Sequence, residues 1–325
     1  MLNIVFMGTP DFAKESLEAI YNAGHNIIAV VTNPDRPKGR GMKMIASPVK
    51  EFANSKNIPV LQPEKIREIK ETLEHLNPDL FCVVAYGKIL PQDVLDIPKK
   101  GSINVHGSLL PKYRGAAPIQ WAVLNGDKTT GITTMHMDAG MDTGDIILKE
   151  EVQIGENETT GELWERLSKI GAQLLVKTLK EIETGTAKRI PQGKDFTMAP
   201  MLNKEMAKID WENKTAVEIK NLVRGLNPIM GAYTTYNGKK IKIWKADCLE
   251  LPAFIKEHPE FKEYKKRLEE MAGGAVIYSD LKDGLCVKAK NSVLLVQEVQ
   301  AENAKRMPVQ DFLRGNLIQT GEIFE

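Results

Sequence analysis

Short apolar runs alternate with segments of helical spacing through the first half of the chain. Leu2 to Met7 is an apolar run ending at Gly8-Thr9-Pro10, and Phe12 to Tyr21 repeats apolar residues every three to four positions behind Asp11 as the expected N-cap. Gly24 closes that helix, and Ile27 to Thr32 is a second apolar run. Val49 to Ser55 predicts a helix, Pro59-Val60-Leu61 a short strand, Ile66 to Leu76 a helix and Asp79 to Ala85 a buried strand. Ile103 to His106 continues the sheet, Ile119 to Leu124 is helical, and Gly131 to Met137 and Asp145 to Val152 are strands. Thr160 to Thr184 is a long helix ended by Gly185. Such alternation predicts an α/β, Rossmann-like, doubly wound and mostly parallel sheet with helices on both faces.

The pattern changes near Lys188. Arg189 to Lys204 contains Pro191, Gly193 and Pro200 without periodicity and reads as a linker. Beyond it come a helix over Thr215 to Arg224 and strand signals at Ala232 to Tyr236, Lys240 to Ala246, Ala275 to Tyr278, Gly284 to Ala289 and Ser292 to Val299. Short strands at this spacing predict a small OB-like β-barrel. Pro252 to Met271, dense in Glu and Lys, reads as a charged helical insert. The expected organisation is a catalytic domain over 1–188, a linker over 189–206 and a barrel domain over 207–325.

Composition narrows the picture. Net charge is +1 over 325 residues, so any preference for nucleic acid must come from a local patch. Cys82, Cys248 and Cys286 are far apart and form no CxxC pair, which predicts neither a disulfide framework nor a metal site. The N-terminus enters a strand pattern without a signal-peptide block, and no apolar run approaches a membrane span. A reducing cytoplasm is the expected location.

The first turn, Gly8-Thr9-Pro10-Asp11-Phe12, has one glycine and an acid where a dinucleotide fingerprint has G-x-G-x-x-G. A dinucleotide is therefore not expected. Candidate chemistry lies in Asn104-Val105-His106-Gly107-Ser108, answered by Asp138-Ala139-Gly140-Met141-Asp142-Thr143-Gly144-Asp145. His106 ends an apolar strand, at the edge where open parallel sheets bind ligands, and Asn104 two residues earlier shares its face. An amide can hold an oxyanion, an imidazole can move protons, and a carboxylate can orient the imidazole. Spacing alone does not choose among Asp138, Asp142 and Asp145.

Asn104-x-His106-x-Ser108-Leu109-Leu110-Pro111, with Tyr113-Arg114-Gly115 and Asp142-Thr143-Gly144, resembles the folate-dependent formyltransferases. The resemblance implies Asn104, His106 and Asp142 as the catalytic trio. It also implies 10-formyltetrahydrofolate as a formyl-donor substrate, with no tightly bound cofactor and no metal. The folate is expected along Ser108, Leu109, Leu110 and Pro111, with Tyr86 and Ile89 lining an apolar slot. Gly8-Thr9-Pro10-Asp11-Phe12, the loop Pro34 to Gly41, Ala116-Ala117-Pro118-Ile119-Gln120 and Lys208-Ile209-Asp210-Trp211 are similar to the branch that formylates methionine on initiator tRNA. The likeness spans essentially the whole chain. It departs in the long insert after Pro252 and at Leu202-Asn203-Lys204-Glu205, where the family usually has Ser or Thr before the lysine.

Arg36, Lys38, Arg40, Lys43 and Lys50 face one acid, Asp35, in a glycine-bearing loop after the second strand. Such a loop is either a solvated surface or a contact for the tRNA acceptor stem. Its position favours contact, because it follows a strand's carboxyl end at the same edge as His106, and the resemblance puts Arg40 foremost, with Lys204 added from the linker. From Ala207 onward, 19 Lys and Arg oppose 17 Asp and Glu, so the barrel domain is not strongly basic. Lys240 with Lys242, and Lys288 with Lys290, have strand-alternate spacing and are expected to share a face, either tracking a tRNA backbone or protecting an edge. A monomer is expected. The rival readings are a formyltransferase acting on an amino sugar nucleotide or a purine precursor, and a non-catalytic tRNA- or folate-binding module.

Overall fold

The computed structural model describes residues 1–38, 43–249, 270–282 and 284–325. Arg40 and nearly all of the expected insert lie outside the described residues. The chain forms two compact units, one of Met1–Ile119, Thr129–Gln153 and Glu162–Met201, the other of Gln120–Lys128, Ile154–Gly161 and Leu202–Glu325.

The first unit opens with β1 (Asn3–Gly8), α1 (Asp11–Asn22) and β2 (Asn26–Val31), followed by a short ribbon of β3 (Arg36–Lys38) and β4 (Lys43–Ile45). Then come α2 (Pro48–Ser55), β5 (Val60–Leu61), α3 (Lys70–His75), β6 (Leu80–Val84), α4 (Gln92–Leu95), β7 (Ser102–His106) and α5 (Pro118–Leu124), the last extending into the second unit. β8 (Thr129–His136), β9 (Ile146–Gln153) and the long α6 (Thr160–Thr184) follow. The sheet order is β5-β2-β1-β6-β7-β8-β9. Its first five strands are parallel, and β8 and β9 are antiparallel additions.

β6 is buried at every position, which is why it reads as a continuous apolar run rather than an alternation. Its Phe81 and Val83 pack with Val5, Met7 and Val31 of the neighbouring strands. Asp11 is not the N-cap of α1. That place is held by Pro10, and Asp11 is a first-turn acid favoured by the helix dipole. The helix expected from Ile66 is a 3₁₀ turn over Ile66–Ile69 running into α3.

The second unit contains α7 (Ala216–Gly225), started by a capping box of Thr215 and Glu218. It continues with β10 (Ala232–Tyr236), β11 (Lys239–Leu249), β12 (Val276–Asp280), β13 (Gly284–Ala289), β14 (Ser292–Ala301), β15 (Met307–Pro308) and α8 (Val309–Gly315). The antiparallel order is β10-β11-β14-β13-β12, with β15 on β14. The C-terminal tail closes the two free edges into a barrel. Thr235 of β10 and Glu325 exchange backbone hydrogen bonds, while Phe324 donates to Gly274, and Val276 donates to Glu322, at the start of β12. Trp211, Ile241, Ile243, Leu294 and Val296 are among the side chains that fill the interior.

Lys288 departs from its expected place. It is 5% exposed, its ammonium donates to the Lys290 carbonyl, and burial lowers its pKa, so it shares no solvent face with Lys290. Lys240 lies over the Tyr233 ring at 3.4 Å, and Lys242 donates to the Met230 carbonyl at 2.7 Å. Among the described residues, no helix is long and apolar enough to cross a membrane.

Candidate active site

β7 carries Asn104 and His106 on one face and ends at His106, at the carboxyl edge of the parallel strands. The loop 137–145 leaves β8 beside the amino end of β7, where Met137 donates to Ser102. It returns along the strand so that Asp142 reaches the histidine. His106 Nδ1 lies 3.6 Å from Asp142 Oδ2, with both side chains largely buried.

Other bonds settle the remaining positions of the pair. His106 Nε2 is 2.8 Å from the Tyr113 carbonyl oxygen. A carbonyl only accepts, so Nε2 carries a proton and Nδ1 is left facing the carboxylate. Asp142 Oδ2 accepts from the Gly115 amide at 2.8 Å. Tyr113 and Asp142 both take positive φ, 60° and 54°, and Gly115 has φ 125°. Two non-glycine residues held at positive φ, Tyr113 and Asp142, mark a site where geometry is imposed by the surroundings.

The acids left open by spacing are now distinguished. Asp138 accepts from the Gly140 amide and the Thr143 hydroxyl, and Asp145 pairs with Arg189 at 3.0 Å. Asp142 is the one of the three that faces His106. Arg189 and burial also lower the pKa of His136, with burial the larger cause. Asn104 is half-buried, and among the described residues its side chain makes no hydrogen bond.

The loop after His106 is tied down by its own backbone and by β8 and β9. Thr133 Oγ1 donates to the Ser108 carbonyl at 2.7 Å and accepts from the Leu110 amide at 3.1 Å. Ser108 Oγ donates to the Lys112 carbonyl at 2.6 Å, and Lys149 donates to the Leu110 carbonyl. Burial lowers the Lys149 pKa. Leu110 is fully buried against Met135 and Ile146, while Leu109 and Pro111 stay half-exposed.

Tyr86 and Ile89 do not form the shared slot wall expected of them. Tyr86 is packed among Val5, Phe81 and Leu90 with burial pushing its phenol up to about 12, whereas Ile89 is 84% exposed. The chain takes a positive φ of 44° at Ala85, between the end of β6 and Tyr86.

The basic loop is a β-ribbon in which Arg36 pairs with Ile45 and Lys38 with Lys43. Arg36 is exposed, and Lys204, in the second unit, is exposed ahead of a 3₁₀ turn over Glu205–Ala207. Lys50 is not a free cation of this loop. Its ammonium is 2.6 Å from Asp35 Oδ2 and 2.7 Å from Gln62 Oε1, and Gln62 Nε2 donates to Asp35 Oδ1 and to the Asn33 carbonyl. The ribbon therefore stands on a closed polar clamp. The Lys50 and Gln62 hydrogen bonds hold the Asp35 carboxyl below its ordinary range.

Sequence reasoning missed Gln192, which lies in the segment read as a linker. Up to Met201 that segment is built into the first unit: Arg114 donates to Thr197, Ala199 donates to Arg114, and Ala117 donates to Ala199. Gln192 bonds both to Arg114 and to the loop bearing Asp142.

A family model described as formyl transferase matches residues 2–179, and one described as formyl transferase, C-terminal domain, matches 201–317. The methionyl-tRNA formyltransferase of Alkaliphilus oremlandii is 48% identical over 99% of each chain. That of Clostridioides difficile is 49% identical over 98% of this chain and 99% of its own. Among solved structures, the sugar 3N-formyl transferase WlaRD, in the presence of dTDP and 5-N-formyl-THF, shares the fold with a TM-score of 0.64 at 22% identity, covering 94% of this chain and 99% of its own. HypX from Aquifex aeolicus, in complex with tetrahydrofolic acid, gives 0.62 at 14% identity over 96% of this chain, which spans only 47% of HypX. With both domains matched in order along the chain, and with relatives near one-half identity from end to end, this protein belongs to the formyltransferase family.

Proposed function

We propose that this formyltransferase moves a formyl group from 10-formyltetrahydrofolate to the α-amino group of methionine esterified to initiator tRNA. The observation that carries the reading is the likeness to methionyl-tRNA formyltransferases across both domains, at 46% to 49% identity. The contact between His106 and Asp142 supports the chemistry.

In the proposed reaction the methionine nitrogen attacks the formyl carbon and a tetrahedral oxyanion forms. The bond from that carbon to N10 then breaks, and one proton passes from the attacking nitrogen to N10. The Asn104 amide, unengaged among the described residues, would donate to the oxyanion. A donor of this kind in a dry site is worth about 3 kcal/mol, roughly a hundredfold in rate. With Nε2 committed to Tyr113, Nδ1 is the ring atom left to exchange a proton, and Asp142 stabilises the imidazolium when it forms.

The half-exposed Leu109 and Pro111 are the members of the Ser108–Pro111 loop proposed to touch the folate, with Ser108 and Leu110 shaping it from below. Ile89 is proposed at the pterin side. Arg36, Lys38 and Lys43 of the ribbon, Arg40, which lies outside the described residues, and Lys204 are proposed to meet tRNA phosphates. We assign catalysis to the first unit, residues 189–201 included, and tRNA support to the second, acting as a monomer in the cytoplasm. A transfer assay offering charged initiator tRNA, charged elongator tRNA and an amino sugar nucleotide tests the reading. Transfer to the initiator is expected, and activity on the sugar alone would overturn it.

A further inference from the structure

Gln192 uses every hydrogen-bonding position an amide has. Its Oε1 accepts from Arg114 Nε at 3.0 Å and Nη2 at 2.7 Å. Its Nε2 donates to the carbonyls of Asp142 and Gly144, both at 2.8 Å. A side-chain amide offers two lone pairs and two N–H groups, so none is left over. Arg114 is 8% exposed, and its guanidinium lies over the Phe196 ring at 4.7 Å. In sequence it stands between Tyr113, whose carbonyl accepts a hydrogen bond from His106 Nε2, and Gly115, whose amide donates to the Asp142 carboxylate. Gln192 thus joins the turn that fixes the imidazole to the backbone of the loop that carries the acid.

We infer that Gln192 is a positioning residue that sets the placement of Asp142 against His106 through Arg114 and the carbonyls of Asp142 and Gly144. The inference rests on the reading of His106 and Asp142 as the reacting pair. The chemistry at this position is narrow. A glutamate would satisfy Arg114 but has no proton for two carbonyls. A lysine could donate to those carbonyls but would oppose the guanidinium. A leucine would leave Arg114 and two carbonyls unpaired in a half-buried place, which is costly.

The test compares Gln192→Glu, Gln192→Leu, Asp142→Asn and the double variant Gln192→Leu/Asp142→Asn with wild type. It reads kcat, both KM values, thermal unfolding and the His106 titration by NMR. Expected for folded Gln192 variants are a kcat lower by about 10- to 100-fold and KM values unchanged within about twofold. The His106 midpoint should shift toward its value in Asp142→Asn. The double variant should be no slower than Asp142→Asn alone, as for groups acting through one another. If Gln192→Leu does not fold, Gln192→Glu, which keeps Arg114 paired, carries the same readouts. Wild-type kcat with an unmoved His106 midpoint in Gln192→Glu would overturn the inference, as would a fully multiplicative loss in the double variant. If Asp142→Asn itself turns over normally, the reading of the reacting pair fails and the positioning role of Gln192 falls with it. If Asp142→Asn is slow and the Gln192 variants are not, only the positioning role of Gln192 fails.

Discussion

His106 and Tyr113 are joined through Nε2, which donates to the Tyr113 carbonyl oxygen at 2.8 Å. That bond decides which ring nitrogen faces the acid. Proton exchange at His106 is expected at Nδ1, with Nε2 protonated on both sides of the titration. Nitrogen NMR of histidine-labelled protein checks this. The Nδ1 resonance should move with pH while Nε2 keeps the shift of a protonated nitrogen. A neutral form protonated at Nδ1 would contradict the assignment.

Gly144 tests the packing of the acid loop. A Cβ there would come within 1.9 Å of the His136 carbonyl oxygen, so Gly144→Ala must push the loop away from β8. Overpacking of this kind costs about 1–3 kcal/mol, and displacing Asp142 should lower kcat about tenfold. Gly193→Ala is the control, because a Cβ there meets nothing within 4 Å and its φ is not in the left-handed range. Thermal unfolding and steady-state turnover on the two variants should separate them. Equal behaviour would mean that the loop does not position the acid.

The clamp of Asp35, Lys50 and Gln62 holds the base of the basic ribbon. Asp35→Asn should loosen the ribbon, raising KM for charged tRNA about two- to fivefold while leaving KM for the folate unchanged. Because the Asp35 pKa is depressed in the folded protein, the clamp is fully present above the ordinary carboxylate value, near 4. It is lost as pH falls through the lower folded value. Acid titration of wild type should therefore show a loosening below about pH 4 that Asp35→Asn lacks. An identical KM for tRNA in the two proteins would remove the clamp from the account.

Much of the fold was legible because its strands are either wholly buried or regularly alternating. β6 reads directly as an apolar run, and α6 over Thr160–Thr184 matches its helical spacing residue for residue. The ribbon of β3 and β4 was hidden because three-residue strands rich in Arg, Lys and Pro carry no period. α8 was too short to repeat. His106 and Asn104 stood out as polar groups on an apolar strand. Gln192 did not, because its importance lies wholly in bonds to residues 48 to 78 positions away, and a neutral amide in an aperiodic segment leaves no pattern. The same limit explains Lys50 and Lys288. Spacing lists the charges of Lys50, Asp35 and Lys288 but not the contact that joins Lys50 to Asp35 or the burial of Lys288.

Formyl transfer to the methionyl end of initiator tRNA is proposed to rest on His106 and Asp142. The most direct test is single-turnover transfer from 10-formyltetrahydrofolate to charged initiator tRNA by wild type, His106→Ala and Asp142→Ala at matched folding. The account predicts wild-type transfer and a loss of about a hundredfold or more in each variant. A rate within about twofold of wild type in folded His106→Ala would contradict it, since general acid–base groups contribute roughly 10²- to 10⁴-fold.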